Sequence, residues 1–85
     1  MDPLQISRKE ASKKIELLTP RQHEVLFLLA CGHSRKEIAI KLNITKRTVR
    51  EHISNACFRL GTDKPIISVM LMVHAQPEAY SHICQ

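Results

Sequence analysis

Between residues 35 and 59 lie seven cationic side chains, Arg35, Lys36, Lys41, Lys46, Arg47, Arg50 and Arg59, against two carboxylates, Glu37 and Glu51. This local excess of five equals the formal net charge of all 85 residues, so the rest of the chain is balanced. The chemistry open to such a cluster is electrostatic: it can hold a polyanion, and nucleic acid is the partner that a localised basic surface best fits. Arg50 has the further capacity to grip guanine O6 and N7 with two parallel hydrogen bonds. Lys46, Arg47 and Thr48 stand at the opening of the same segment, where phosphate contact is the natural role. Lys36 and Lys41 sit on the segment before it and could flank a groove. For some of these residues the alternative is a solvated charged face that keeps a small domain in solution.

Other chemistries find little material. No Ser/His/Asp or Cys/His arrangement stands out, and two glycines leave little for a phosphate-cradling loop, so catalysis and a cofactor are not expected. Cys31, Cys57 and Cys84 are odd in number and contain no CxxC, which argues against a disulfide framework. The fragments Cys31-Gly32-His33 and His82-Ile83-Cys84 lack the spacing of zinc sites, so no metal is expected. Cys31 and Cys57 read as small apolar fillers.

The elements that must position the basic cluster are legible from caps and periodicity. Thr19, Pro20 and Gln22 form a helix start with a capping box, Val25, Leu26, Leu28 and Leu29 supply its buried stripe, and Gly32 ends it in a left-handed conformation. Ser34 and Glu37 open a second helix whose Ile38, Ala39 and Leu42 face inward and which Asn43 closes. A third begins at Thr45, without a box because Thr48 occupies the third position. Its apolar face is Val49, Ile53, Ala56, Cys57 and Leu60, and Gly61 stops it. Arg47, Arg50, Glu51, Ser54 and Phe58 fall on the opposite side. A last helix starts near Asp63 or Lys64, with Pro65 in its first turn, and runs to about Ala75. Residues 1–17 read either as a short helix from about Gln5 to Leu17, with Leu4, Ala11 and Leu18 repeating at seven, or as a mobile basic arm. Residues 77–85 read as a frayed tail. No strand pattern is present. The fold class is therefore all-α, with four helices, an extra N-terminal segment and the domain proper over residues 18–76.

A short helix, a three-residue turn and a longer helix with a basic outer face make a helix-turn-helix, in which the first helix braces the second for entry into a DNA major groove. The stretch LTPRQHEVLFLLACGHSRKEIAIKLNITKRTVREHISNACFRLG resembles the LuxR-type (GerE-like) helix-turn-helix domain. The features carrying the resemblance are LTPR followed by EVL at residues 18–26 and the segment Gly32-His33-Ser34-Arg35-Lys36-Glu37-Ile38-Ala39. To these are added Leu42, Ile44, Thr48-Val49, His52, Ser54-Asn55 and Leu60-Gly61. The match runs without gaps from about Leu18 to Val73. It implies a DNA-binding transcription regulator of bacteria, with base-reading residues at Arg50, Glu51 and Ser54. Glu51 departs from the family's usual small, apolar or amide residue. It could accept from a cytosine amino group, or pair with Arg47 one turn earlier. Phe58 stands where the family places a long polar or basic residue, and either packs under the N-terminal segment or belongs to a contact surface. His52 falls between the buried and groove faces, which suits a partly buried, hydrogen-bonded ring.

The family domain is usually the output end of a longer regulator. With some eighteen residues before it, this chain resembles a stand-alone member, or else an excised piece. The last helix is apolar nearly all round, whereas one core needs only a stripe. A second stripe of Ile67, Met70, Leu71 and His74 should be covered. The resemblance implies a homodimer there, the alternative being that residues 1–18 fold over it. Expected partners are thus double-stranded DNA and a second copy, with RNA polymerase or a larger LuxR-type regulator as further candidates. A rival reading is a protein-interaction modulator that pairs with such a full-length regulator through this helix and blocks or redirects it. No apolar run reaches membrane-spanning length, and the N-terminus lacks a signal's apolar middle, which points to the cytoplasm and its nucleoid.

Overall fold

The computed structural model describes residues 5–83, and the side chains of residues 5–81. Leu4 and Cys84, weighed above, lie outside that span. Among the described residues five α-helices occur: α1 (Arg8–Ile15), α2 (Pro20–Ala30), α3 (Arg35–Leu42), α4 (Lys46–Leu60) and α5 (Pro65–Ala75), followed by a 3-10 helix over Pro77–Ile83. No strand occurs among the described residues, and the all-α expectation holds.

Local chemistry sets the boundaries. At α2 the Thr19 hydroxyl accepts from the Gln22 backbone N–H at 3.2 Å while Gln22 Oε1 accepts from the Thr19 N–H at 3.1 Å. Ser34 and Glu37 repeat the exchange at α3, at 3.1 and 2.8 Å. At α4 the missing box is replaced by a hydroxyl pair. Thr45 Oγ1 accepts from the Thr48 N–H at 3.0 Å and lies 2.8 Å from Thr48 Oγ1. Caps of this kind contribute about 1 kcal/mol each.

The turn joining α3 to α4 depends on Asn43, which adopts φ 56°, ψ 47° and lets the Ile44 N–H return to Ala39 O at 3.0 Å. Asn enters this left-handed region more readily than other side-chain-bearing residues. Three residues therefore suffice to redirect the chain.

Packing divides into two connected clusters. Val25, Ile38, Ala39, Val49, Ile53 and Cys57 join α2, α3 and α4, which fixes the helix-turn-helix. Leu26, Ala56, Leu60, Leu71, Met72, Ala75, Ala11, Ile15, Leu18 and Tyr80 join α1, α2, α4, α5 and the 3-10 helix. All five apolar positions expected to face inward on α4 are buried. Leu28, Leu29 and Leu42 are only half-buried, at the margin of the cluster of Val25, Ile38 and Val49. A polar seam crosses the α4–α5 junction. Ser68, wholly buried, donates to Cys57 Sγ at 3.2 Å, and its oxygen lies 2.6 Å from Thr62 Oγ1.

As far as they are described, both terminal segments pack on the fold, the N-terminal one as the short helix that is one of its two readings. Residues 8–15 are helical and lie along α5. Arg8 Nε donates to Ala75 O at 3.1 Å and its Nη2 reaches both Glu78 carboxylate oxygens. That bond holds the Glu78 carboxyl below its ordinary value of 4.5. Where fraying was expected after Pro77, Tyr80 is 3% exposed and its ring stacks at a tilt on Phe27, centroids 5.3 Å apart. One buried aromatic outweighs the local propensity of a Pro-led tail.

Candidate nucleic-acid interface

Because the α4 stripe of Val49, Ile53, Ala56, Cys57 and Leu60 is sealed, helical geometry turns the residues between them outward. Lys46, Arg47, Arg50, Glu51 and Ser54 are all exposed, and Thr48 is half-buried beneath its hydroxyl pair with Thr45. Elsewhere in the basic cluster, Arg35 is half-buried and Arg59 donates to Leu17 O. Lys36 and Lys41 are exposed on α3. The face thus presents cations from two helices joined by a rigid corner.

Within that face the residues are not equivalent. Glu51 Oε1 lies 3.4 Å from Arg47 Nε, so the acidic intrusion pairs with a cation of its own helix. Arg50 and Ser54 line one surface hollow of about 230 Å³, together with Arg35, Ile53, Cys57, Asp63 and Pro65. Asp63 comes from the α4–α5 connection, and nothing in its local sequence marks it as a neighbour of Arg50. Lys41 belongs to a separate hollow with His33, Glu37 and the 73% exposed Ile40. The Glu37 carboxyl is held below its ordinary value by the Ser34 backbone and hydroxyl, so its charge is committed to capping. His52 is half-buried as expected but makes no side-chain hydrogen bond among the described residues. Phe58 is 86% exposed, so it does not pack under the described part of the N-terminal segment.

The stripe expected on the last helix is displaced by one residue. Leu71 is wholly buried in the core that α1 closes, so it cannot meet a second copy. His74 is half-buried, its Nε2 lying 2.8 Å from Ile6 O beneath the N-terminal segment. Ile67 is half-buried, and Met70, at 38%, remains open. The outward stripe is instead Ile66, Met70 and Val73, spaced i, i+4, i+7. An all-round apolar helix has no periodicity from which to orient it, so the covering helix decides.

Among the described residues no group of three or more His, Cys, Asp and Glu could hold a metal. No helix there is long and apolar enough to cross a membrane.

The family model for bacterial regulatory proteins of the luxR family matches residues 16–72. The response regulator protein VraR of Staphylococcus saprophyticus subsp. saprophyticus, and the proteins of that name from Staphylococcus aureus and Staphylococcus epidermidis, are similar in sequence. Each is 42% identical over 52 residues, which cover 61% of this chain and 25% of the relative. The chain therefore spans about a quarter of the length of these curated relatives. No solved structure matched it. With the family's pattern laid over residues 16–72 and a helix-turn-helix built as that pattern requires, the chain belongs to the luxR family of bacterial regulatory proteins.

Proposed function

We propose that the protein is a sequence-specific regulator of transcription that binds double-stranded DNA as a homodimer, inserting α4 into the major groove. The observation that carries this reading is the exposed cationic face of α4 set against a fully sealed apolar one. In this reading Arg50 and Ser54 address base edges, while Lys46, Arg47, Thr48, Lys36 and Lys41 hold phosphates. Glu51 serves the ion pair with Arg47. The stripe of Ile66, Met70 and Val73 pairs with its twin across a two-fold axis, and the DNA half-sites mirror that symmetry. The VraR proteins are named response regulators, which is consistent with a role in regulation.

Selection of bound genomic fragments, followed by gel shift, tests the reading. Arg50→Ala should cost about 1–3 kcal/mol at one base position and relax selectivity there. Lys46→Ala should weaken all sequences alike and flatten the salt slope by about 1. Failure of the purified chain to retard any fragment, together with tight capture of a full-length LuxR-type regulator, would replace this reading with the modulator one.

A further inference from the structure

A groove of about 380 Å³ runs beside the reading face, between the start of α2 and the flank of α4, lined by Gln22, Asn55, Phe58 and Arg59. Its chemistry is one-sided. Arg59 Nη1 donates to Leu17 O at 3.1 Å, which fixes the guanidinium on the groove wall and leaves its other N–H groups open. Gln22 is 7% exposed, and its Oε1 is committed to the Thr19 N–H. The donor end of that amide makes no hydrogen bond among the described residues. Asn55 adds a second, exposed amide. No carboxylate lines the groove, and the 86% exposed Phe58 is the apolar member of its lining.

We propose that this groove is a further DNA-backbone site, in which Gln22, Asn55 and Arg59 bind a phosphate while Phe58 lies against the adjoining deoxyribose. The proposal rests on the DNA-binding reading above and adds residues to it. Continuity with the reading face selects the occupant. Phe58 follows Glu51 by seven residues and Ser54 by four, so it shares their side of α4. Seven residues of helix advance roughly 10 Å. The major groove is about 12 Å wide. Side chains near Glu51 thus meet base edges while Phe58 arrives at the groove wall, where the sugar–phosphate chain runs. Donors and a guanidinium match the phosphate, and the ring finds an apolar sugar face instead of water.

The test compares variants of the whole chain on a fluorescent duplex carrying the site that the unaltered chain selects. Asn55→Asp, which places an anion in the groove, should weaken every duplex alike by about tenfold. Phe58→Ala should weaken binding a few-fold with the salt slope unchanged, because a sugar contact releases no counterion. Arg59→Gln should make the slope shallower by about 0.9. Since Arg59 also ties down the loop at Leu17, the first two variants, both on exposed positions, decide the matter, with thermal melting to establish folding. If both bind as tightly as the unaltered chain while Arg50→Ala loses selectivity, the groove site falls and the DNA reading stands. If the unaltered chain selects no duplex, both fall. If Phe58→Ala leaves DNA affinity intact but lowers the sedimenting mass, the groove holds a second copy and the proposal is overturned.

Discussion

Replacing Glu51 by Gln separates the two jobs this carboxylate could do. Its Oε1 stands 3.4 Å from Arg47 Nε, with the side chains 61% and 85% exposed. Unit charges at that distance attract by about 1.2 kcal/mol in a water-like dielectric of ~80. Side-chain entropy and salt reduce such helix-surface pairs to about 0.3–0.5 kcal/mol. Glu51→Gln should therefore lower the unfolding free energy by no more than about 0.5 kcal/mol in urea titrations. On DNA the effect has the opposite sign. The substitution frees the Arg47 guanidinium and removes the one anion on the exposed face of α4, so every duplex should bind more tightly. That gain should fade as added salt shortens the screening length. Fluorescence anisotropy on duplexes varied one base pair at a time, at two salt concentrations, measures both. A loss of about 1–3 kcal/mol confined to one base pair would identify a cytosine contact and refute the ion-pair assignment. Destabilisation beyond about 1 kcal/mol would refute the estimate of the pair itself.

Three further outcomes follow from the packing and titration. Leu71→Ala should cost roughly 2–5 kcal/mol of stability, as for other fully buried leucines, whereas Met70→Ala should melt near the unaltered chain and lower self-association in sedimentation. Asn43→Gly should be nearly neutral in thermal melts, while Asn43→Ala should cost about 1 kcal/mol because its Cβ meets the left-handed backbone unaided. Glu37 and Glu78 both have carboxyl groups lowered from 4.5, so the unfolded chain takes up protons first as pH falls. Their stabilisation should be complete above about pH 4.5 and be lost below it, with Glu78→Gln flattening that acid limb in denaturation curves.

How much was legible in the sequence follows the range of the forces involved. Thr19 with Gln22, Ser34 with Glu37, Asn43 and Gly61 act within a few residues of themselves, so composition and spacing were enough to bound α2, α3 and α4. The inward face of α4 was equally plain, because polar residues separate its apolar ones at helical spacing. What stayed hidden depends on distant partners. Leu71 and Met70 are alike in the sequence, and only the packing of α1, α2 and α4 around α5 sends one to the core and the other to the surface. Tyr80 is drawn in by Phe27, more than fifty residues away, and Arg8 by Glu78. Among the site residues, the exposure of Arg47 and Arg50 was readable. The company of Arg50 with Asp63, and of Phe58 with Gln22, was not, since both join separate elements.

The buried hydroxyl of Ser68 has a mechanical consequence. By reaching Cys57 on one side and Thr62 on the other, it bolts the base of α5 to the exit of α4 across a four-residue link. Any twin docked on α5 would therefore carry its probe helix at one invariant separation and tilt. Such a calliper tolerates altered letters within either half of an operator far better than a base pair inserted between them.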